Sequence, residues 1–339
     1  MIKESIIKVW NNEDLTSSEA FQTIDEIMSG KATDIQISSF LTALSMKGET
    51  IDEITAAAKS MREHAQKIEP QNEVLEIVGT GGDGSNSFNI STTSAIVISS
   101  AEVPIAKHGN RSASSKCGAA DVLEELGVNI NLEPEKSLDI LDEINICFLF
   151  AQKYHGAMRH VAPVRKELGI RTIFNILGPL TNPAKAKRQV LGVYDEGLVE
   201  SLAKVLQNLG VTRAMVVYGQ DGLDEISVCD KTTVCEIKDG EIINYEISPE
   251  DFGMQIAENE DLVGGEPSEN AEITLNILKG EKSPKRDAVV LNSAAGLYVA
   301  DRVDSLEEGI ELAEELIDSG KALDQLNKFI KRSNDVNVR

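Results

Sequence analysis

Five short apolar runs, at residues 74–78, 103–106, 146–150, 190–194 and 214–218, are bounded by glycine and separated by stretches of helical character such as 119–126 and 198–209. An apolar run that short, with no polar alternation, reads as a strand buried on both faces. Strands that alternate with helices assemble into a largely parallel sheet covered by helices, so an α/β domain is expected over 71–339. The run 234–243 carries Asp239-Gly240 between apolar-rich flanks, which predicts a β-hairpin and makes the sheet mixed. Beyond Ser268 the chain reads as helical again, ending in 306–330 with an acidic exposed face.

The first seventy residues have a different pattern. Thr16 with Glu19, Thr33 with Gln36, and Thr50 with Glu53 have the spacing of capping boxes, and each opens a helical stretch. After the third, Ile54, Ala58, Met61, Ala65 and Ile68 line up on one helix face. A small all-helical unit is expected over 1–70.

Charge restricts the partners. Thirty-three basic against fifty-six acidic residues leave a net charge of -23, a poor basis for attracting nucleic acid or an anionic membrane. Any anionic ligand must be held locally, by clustered basic side chains, backbone N–H groups or bridging metal ions. Cys117, Cys147, Cys229 and Cys235 are scattered and read as free thiols, and no apolar stretch reaches the length of a signal peptide core or a membrane span. A cytoplasmic protein is expected.

Four segments have the composition of ligand loops. Gly79-Thr80-Gly81-Gly82-Asp83-Gly84 follows an apolar run and matches the dinucleotide fingerprint, yet Ser85 to Asn89 prolong the loop before any helix, and Asp83 would repel a bare pyrophosphate. A carboxylate there suits phosphates that carry metal ions, or a sugar hydroxyl; a plain turn is the other reading. Asn89-Ile90-Ser91-Thr92 opens a helix whose free N–H groups can hold an anion and whose Ser91 oxygen can meet magnesium, although simple capping would explain it too. Lys107, His108, Arg111 and Lys116 gather among glycines and serines in a second candidate phosphate loop, for which a solvated basic turn is the alternative. Asp224-Glu225 brings two carboxylates to a loop where both can turn toward a hard cation, or simply face solvent. Further along, Arg165 would serve an acceptor that bears a carboxylate; a side chain that faces solvent or packs locally is the other reading, and the spacing alone favours it.

Taken together, these segments resemble the anthranilate phosphoribosyltransferase family, which shares its fold group with the pyrimidine nucleoside phosphorylases. The likeness spans essentially the whole chain and includes the glycine loop, Lys107-His108-Gly109-Asn110-Arg111-Ser112, the run from Arg165 to Pro183, and the acidic pair. It implies a nucleoside phosphorylase/phosphoribosyltransferase-like (class III) fold in which the helical unit, completed by part of 160–190, is hinged to the α/β domain, and a homodimer as the assembly.

The resemblance also implies a reaction in tryptophan synthesis, in which phosphoribosyl pyrophosphate and anthranilate give N-(5-phosphoribosyl)anthranilate and pyrophosphate. Carried over by position, Gly79, Gly82, Asp83, Ser87, Asn89, Ile90, Ser91, Thr92, Lys107, His108, Gly109, Asn110, Arg111, Ser112, Ala113, Ser114 and Ser115 hold the donor. Ser91, Asp224 and Glu225 bind Mg2+, and Asn110 and Arg165 position anthranilate with His108 and His155 nearby. Lys107, His108 and Arg165 are the catalytic candidates. Cys117 and Ala119 stand where the family pattern has serine; Ala119 keeps only a backbone N–H for the donor.

Three other functions compete. A pyrimidine nucleoside phosphorylase shares the architecture, but the acidic pair and Arg165 argue against it. A non-catalytic nucleic-acid-binding relative would display a basic surface, which the charge of -23 opposes. A Rossmann oxidoreductase stands third.

Overall fold

The computed structural model describes residues 1–112 and 115–335. Four helices come first: α1 (Ile2–Trp10), α2 (Ser17–Met28), α3 (Asp34–Lys47) and α4 (Ile51–His64). All three expected capping boxes form, the threonine oxygen accepting from the third-position N–H while the Glu or Gln side chain accepts from the threonine N–H. Helix starts leave such donors unpaired, so the reciprocal bonds fix where each helix begins.

Helix α4 is shorter than its apolar periodicity suggests. It stops at His64 because the chain turns away to bond elsewhere: Gln66 N–H donates to Tyr154 O at 2.9 Å and Ile68 N–H to Pro183 O at 3.3 Å. Ile68 is therefore buried not on the helix face but in a small separate cluster with Val74, Leu141 and Ala184.

The α/β region begins with β1 (Leu75–Gly79), α5 (Ile90–Ser99), β2 (Ile105–Gly109), α6 (Ala119–Glu125), α7 (Pro134–Ile144) and β3 (Ile146–Phe150). Three short helices follow, α8 (Ala151–Tyr154), α9 (Ala162–Leu168) and α10 (Phe174–Leu177). Then come β4 (Arg188–Gly192), α11 (Val199–Asn208), β5 (Arg213–Gly219), β6 (Thr232–Lys238) and β7 (Glu241–Ile247). The chain closes with α12 (Pro267–Leu278), α13 (Pro284–Val299), α14 (Leu306–Asp318) and α15 (Lys321–Asn334). The stretch expected to be helical over 306–330 is thus two helices, parted where Gly320 takes a left-handed φ of 81°.

The sheet has seven strands in the order β3-β2-β1-β4-β5-β6-β7. The first five are parallel, and β6 and β7 are antiparallel, joined by the Asp239-Gly240 turn. The mixed sheet and the hairpin are as the sequence led one to expect. Successive strands are added on one side of β1 through β3 and on the other from β4 onward, so the sheet switches direction at β1. Ligand crevices in such sheets open at the carboxyl ends of strands beside that point.

Two large cores flank the sheet. One lies between the sheet and α5, α13, α14 and α15, and includes Ile77, Val97, Met215, Leu291 and Leu326. The other joins α1–α4 to Val161, Val164, Phe174, Leu177 and the opposite face of β4 and β5. The helical start therefore buries its apolar faces partly against residues 161–180. No helix among the described residues is long and apolar enough to cross a membrane.

Candidate active site

The glycine loop leaves the carboxyl end of β1. Gly81, Gly82 and Gly84 take φ values of 72°, 75° and 81°, a left-handed path that residues with a Cβ follow only at a cost. The bare α-carbons at Gly79 and Gly192, which end the neighbouring strands β1 and β4, serve a different purpose. A Cβ at Gly79 would lie 2.3 Å from Asp224 Oδ2, and one at Gly192 would lie 1.6 Å from the Asp224 carbonyl oxygen. Both strand ends are thus cut back to admit the acidic loop that follows β5.

In that loop Asp224 and Glu225 are buried, at 8 % and 7 % exposure. Gly81 N–H donates to Asp224 Oδ2 at 2.6 Å, and Ser91 N–H, in the first turn of α5, donates to Glu225 Oε1 at 3.1 Å. Two adjacent carboxylates thereby pin the glycine loop and the start of α5 to one strand end. Burial pushes both carboxyls up, that of Asp224 well above the usual range, and the negative charge of Asp83 adds to each. Asp83 Oδ2 is itself buried and, among the described residues, without a hydrogen-bond partner.

Three carboxylates held against their own repulsion, one with an orphaned oxygen, fit a hard dication with oxygen ligands. Among the described residues no three His, Cys, Asp or Glu side chains form a metal cage. Magnesium is commonly held by one or two carboxylates together with substrate phosphates, which requires no such cage.

The sequence placed Lys107 and His108 in a loop beyond a strand ending near Ala106. Instead β2 runs on to Gly109 and both residues lie within it, buried. Successive strand side chains point to opposite faces. Lys107 Nζ accordingly reaches Ile77 O at 2.8 Å and Ser91 Oγ at 3.2 Å on the α5 side. Burial lowers its ammonium from the ordinary lysine range, while Glu225, Glu76 and Asp224 oppose that shift. His108 instead meets His155, with ring centroids 4.9 Å apart.

Desolvation depresses the His155 imidazole to about 4 and that of His108 well below its ordinary value, so both rings are neutral near pH 7. The unfolded chain takes up these protons near pH 6.5 and the folded chain does not, so the associated stability is whole above that pH and is lost as pH falls toward about 4. Denaturant titrations between pH 7 and about 4.5 should show the parent losing stability faster than a His155→Gln variant. Parallel slopes would remove the pair as a cause.

The second loop, after β2, is shaped by a residue that sequence reasoning passed over. Asp121 Oδ2 accepts from Ser112 N–H at 3.0 Å and Gly118 N–H at 2.9 Å, and its Oδ1 accepts from Arg111 at 2.9 Å. Arg111 also pairs with Glu124 and lies 5.6 Å over the Phe150 ring, so its guanidinium is already engaged. Asn110 Oδ1 accepts from Arg111 N–H at 2.8 Å. Ser115 Oγ bonds Ser112 Oγ at 2.9 Å, and Ala119 opens α6 with its Cβ against Gly109. Ala113 and Ser114 lie outside the described residues.

Asn270, on α12, is a second residue without a sequence signal. It is 1 % exposed; its Nδ2 donates to Asn89 Oδ1 at 2.9 Å and its Oδ1 accepts from Gly265 N–H at 2.8 Å. Asn89 Nδ2 in turn donates to Cys117 O at 3.2 Å, which ties the start of α5 to the second loop. Ser87 forms a β-bridge with Val263. Gly82, Ile90 and Thr92 complete this side, with Ile90 and Thr92 buried in the first turn of α5. Gly192 and Asn270 act through tertiary contacts, and nothing in their local sequence announces them, whereas Asp121 acts within its own loop, partly as the third-position partner of the α6 cap.

Arg165 lies on α9, half-buried, 5.8 Å over the Phe174 ring. Among the described residues it makes no ion pair, and burial alone lowers its pKa.

The chain matches the glycosyl transferase family in both parts, its a/b domain over residues 71–323 and its helical bundle domain over 3–65. The anthranilate phosphoribosyltransferase of Methanobrevibacter smithii is 70% identical over 98% of this chain and 100% of its own length. The crystal structure of the Thermus thermophilus anthranilate phosphoribosyltransferase superposes with a TM-score of 0.93 at 43% identity, covering 98% of this chain and 99% of that one. The Saccharomyces cerevisiae enzyme in complex with PRPP and Mg gives 0.91 at 32%, covering 98% and 97%. A helical bundle joined to a mixed, mostly parallel sheet, with relatives this similar over their full length, places the chain in the anthranilate phosphoribosyltransferase family.

Proposed function

We propose that this chain transfers the phosphoribosyl group of phosphoribosyl pyrophosphate to the amine of anthranilate, as an enzyme of tryptophan biosynthesis in the cytoplasm. The C1–O bond to pyrophosphate breaks, a C1–N bond forms, and the amine gives up a proton. The observation that carries this reading is one hydrogen-bonded set at the carboxyl ends of the strands, in which Gly81 bonds Asp224, Ser91 bonds Glu225 and Lys107 bonds Ser91. Neither a nucleoside phosphorylase nor a nucleic-acid-binding relative explains a buried acidic pair beside a phosphate-type loop, and a Rossmann site has no use for it.

Mg2+, held by Ser91, Asp224 and Glu225, would supply neutralising charge for the departing pyrophosphate. The glycine loop and the first turn of α5 offer N–H groups to phosphate oxygens, and Lys107 adds a cation in a low-dielectric setting where its charge acts strongly. Gly79, Asp83, Ser87, Asn89 and the second loop from Gly109 to Ser115 complete the donor cradle. Arg165, unpaired and half-buried, binds the acceptor carboxylate with Asn110, and positioning of this kind accounts for roughly 7 kcal/mol or more of barrier in favourable cases. The neutral His108, whose Nε2 has no partner among the described residues, can take a hydrogen bond from the amine, and the amine's proton passes to it, to water or to the departing pyrophosphate.

Two further features belong to this reading. Residues 1–70, with part of 160–190, act as a unit that closes on the 71–339 domain. The protein works as a homodimer through the helical unit, where Ile7 and Trp10, three apart on α1, and Ile35 and Met46, three turns apart on α3, leave apolar side chains exposed. Light scattering reads the dimer directly. The activity is read by loss of anthranilate fluorescence on adding phosphoribosyl pyrophosphate and magnesium, and no consumption by folded protein would overturn the proposal.

A further inference from the structure

Arg171 lies in the extended segment after α9, outside every role described so far. Its carbonyl accepts from Ser45 Oγ of α3 at 2.8 Å, which fastens it to the helical unit. Its guanidinium donates to Gly82 O at 2.5 Å and lies 4.0 Å over the Tyr194 ring. Tyr194 follows β4; its N–H donates to Thr80 Oγ1 at 3.1 Å, and Thr80 N–H donates to Gly192 O at 2.9 Å. Among the described residues Arg171 makes no ion pair, although the chain carries a net charge of -23. An exposed guanidinium in so acidic a protein ordinarily finds a carboxylate. This one is spent on a loop carbonyl and an aromatic face.

The loop needs such an external hold. Gly81, Gly82 and Gly84 have no side chains to fix their path, and glycine loses more backbone freedom than other residues when it is ordered. Asp224 grips Gly81 N–H from the α/β side. Arg171 grips the Gly82 carbonyl from the side of the helical unit. In a trans peptide the carbonyl and the following N–H point in opposite directions, so fixing Gly82 C=O on Arg171 fixes Asp83 N–H on the far side of the peptide plane, free to serve an anion.

We propose that Arg171 is a positioning residue that couples the helical unit to the glycine loop, setting that loop for the phosphoribosyl pyrophosphate donor. The inference rests on the reading of the loop as the donor cradle. Arg171→Ala removes a charge-assisted hydrogen bond and a ring contact, together worth about tenfold in binding. The expected result is a rise of about tenfold in KM for phosphoribosyl pyrophosphate, with kcat, KM for anthranilate and the melting temperature little changed; Tyr194→Leu should shift the same KM by a smaller factor. Arg171→Lys, which keeps the charge without the planar fork, should fall between parent and Ala.

Hydrogen exchange in the ligand-free protein provides a readout independent of turnover, with residues 80–85 expected to exchange several-fold faster in Arg171→Ala. Unchanged exchange there overturns the coupling, whatever the kinetics. Equal losses in kcat and both KM values overturn the positioning role. If the parent consumes no anthranilate and loop exchange still rises in the variant, the clasp stands and the reading of the reaction falls.

Discussion

Replacing Asp224 with Asn together with Glu225 with Gln is expected to leave a folded, more stable protein whose turnover has fallen by roughly a thousandfold or more, the scale on which removal of a principal electrostatic contact acts. The amide oxygens still accept from Gly81 and Ser91 N–H, so the backbone of both loops keeps its anchors. What disappears is charge. Because burial holds both carboxyls above their ordinary values, the folded protein binds more protons than the unfolded chain from the usual carboxylate range upward, and stability falls as pH rises through that window. Neutral side chains remove the penalty, the trade of stability against function that buried active-site charges commonly embody. Thermal melts with and without magnesium chloride check the assignment: the ion should raise the parent's midpoint and leave the double variant unmoved. Full activity, or an equal magnesium shift in both proteins, would take the acidic pair out of the site.

Gly192→Ala is the second large effect. The new Cβ would fall 1.6 Å from the Asp224 carbonyl oxygen and 2.3 Å from its carbon, and both are backbone atoms that no rotamer can move aside. Overpacking of this type costs about 1–3 kcal/mol or more, and here relief comes only by driving the acidic loop off the end of β4. Stability and activity should therefore fall together, and magnesium should cease to stabilise the protein. Gly82→Ala offers the contrast, since among the described residues nothing lies within 4 Å of an added Cβ and the φ of 75° resists, for about 1–2 kcal/mol. A Gly192→Ala variant with the parent's melting temperature would show that the strand end and the acidic loop are not in contact.

Much of this architecture is written locally. The capping boxes at Thr16, Thr33 and Thr50 and the Asp239-Gly240 hairpin depend on neighbours three residues apart or fewer, so the sequence contains everything that specifies them. Legibility fails where distant partners decide. Lys107 and His108 ended the apolar run and so looked like loop residues, yet both are carried inside β2 because Ile77 O, Ser91 and His155 receive them. Ala65 and Ile68 fit the period of α4, but Tyr154 and Pro183 offer carbonyls that draw the chain out of the helix. The candidate ligand loops themselves stood out by composition. Their supports Gly192, Asn270 and Arg171 did not, since a lone glycine or a lone polar residue acquires its meaning only from what folds against it.

The order of the sheet has a further bearing on how the molecule comes into being. Strand β1 pairs with β2 about 25 residues later, but its other edge waits for β4, on the order of a hundred residues downstream. Closing so long a loop costs little more in equilibrium stability than closing a short one. In time it costs a great deal, because a chain emerging at roughly 5–20 residues per second holds the bare edge of Leu75, Ile77 and Val78 open for several seconds before a partner exists. The same strand that carries the glycine loop thus holds an unpaired edge in the nascent chain throughout the interval between the synthesis of β1 and β4.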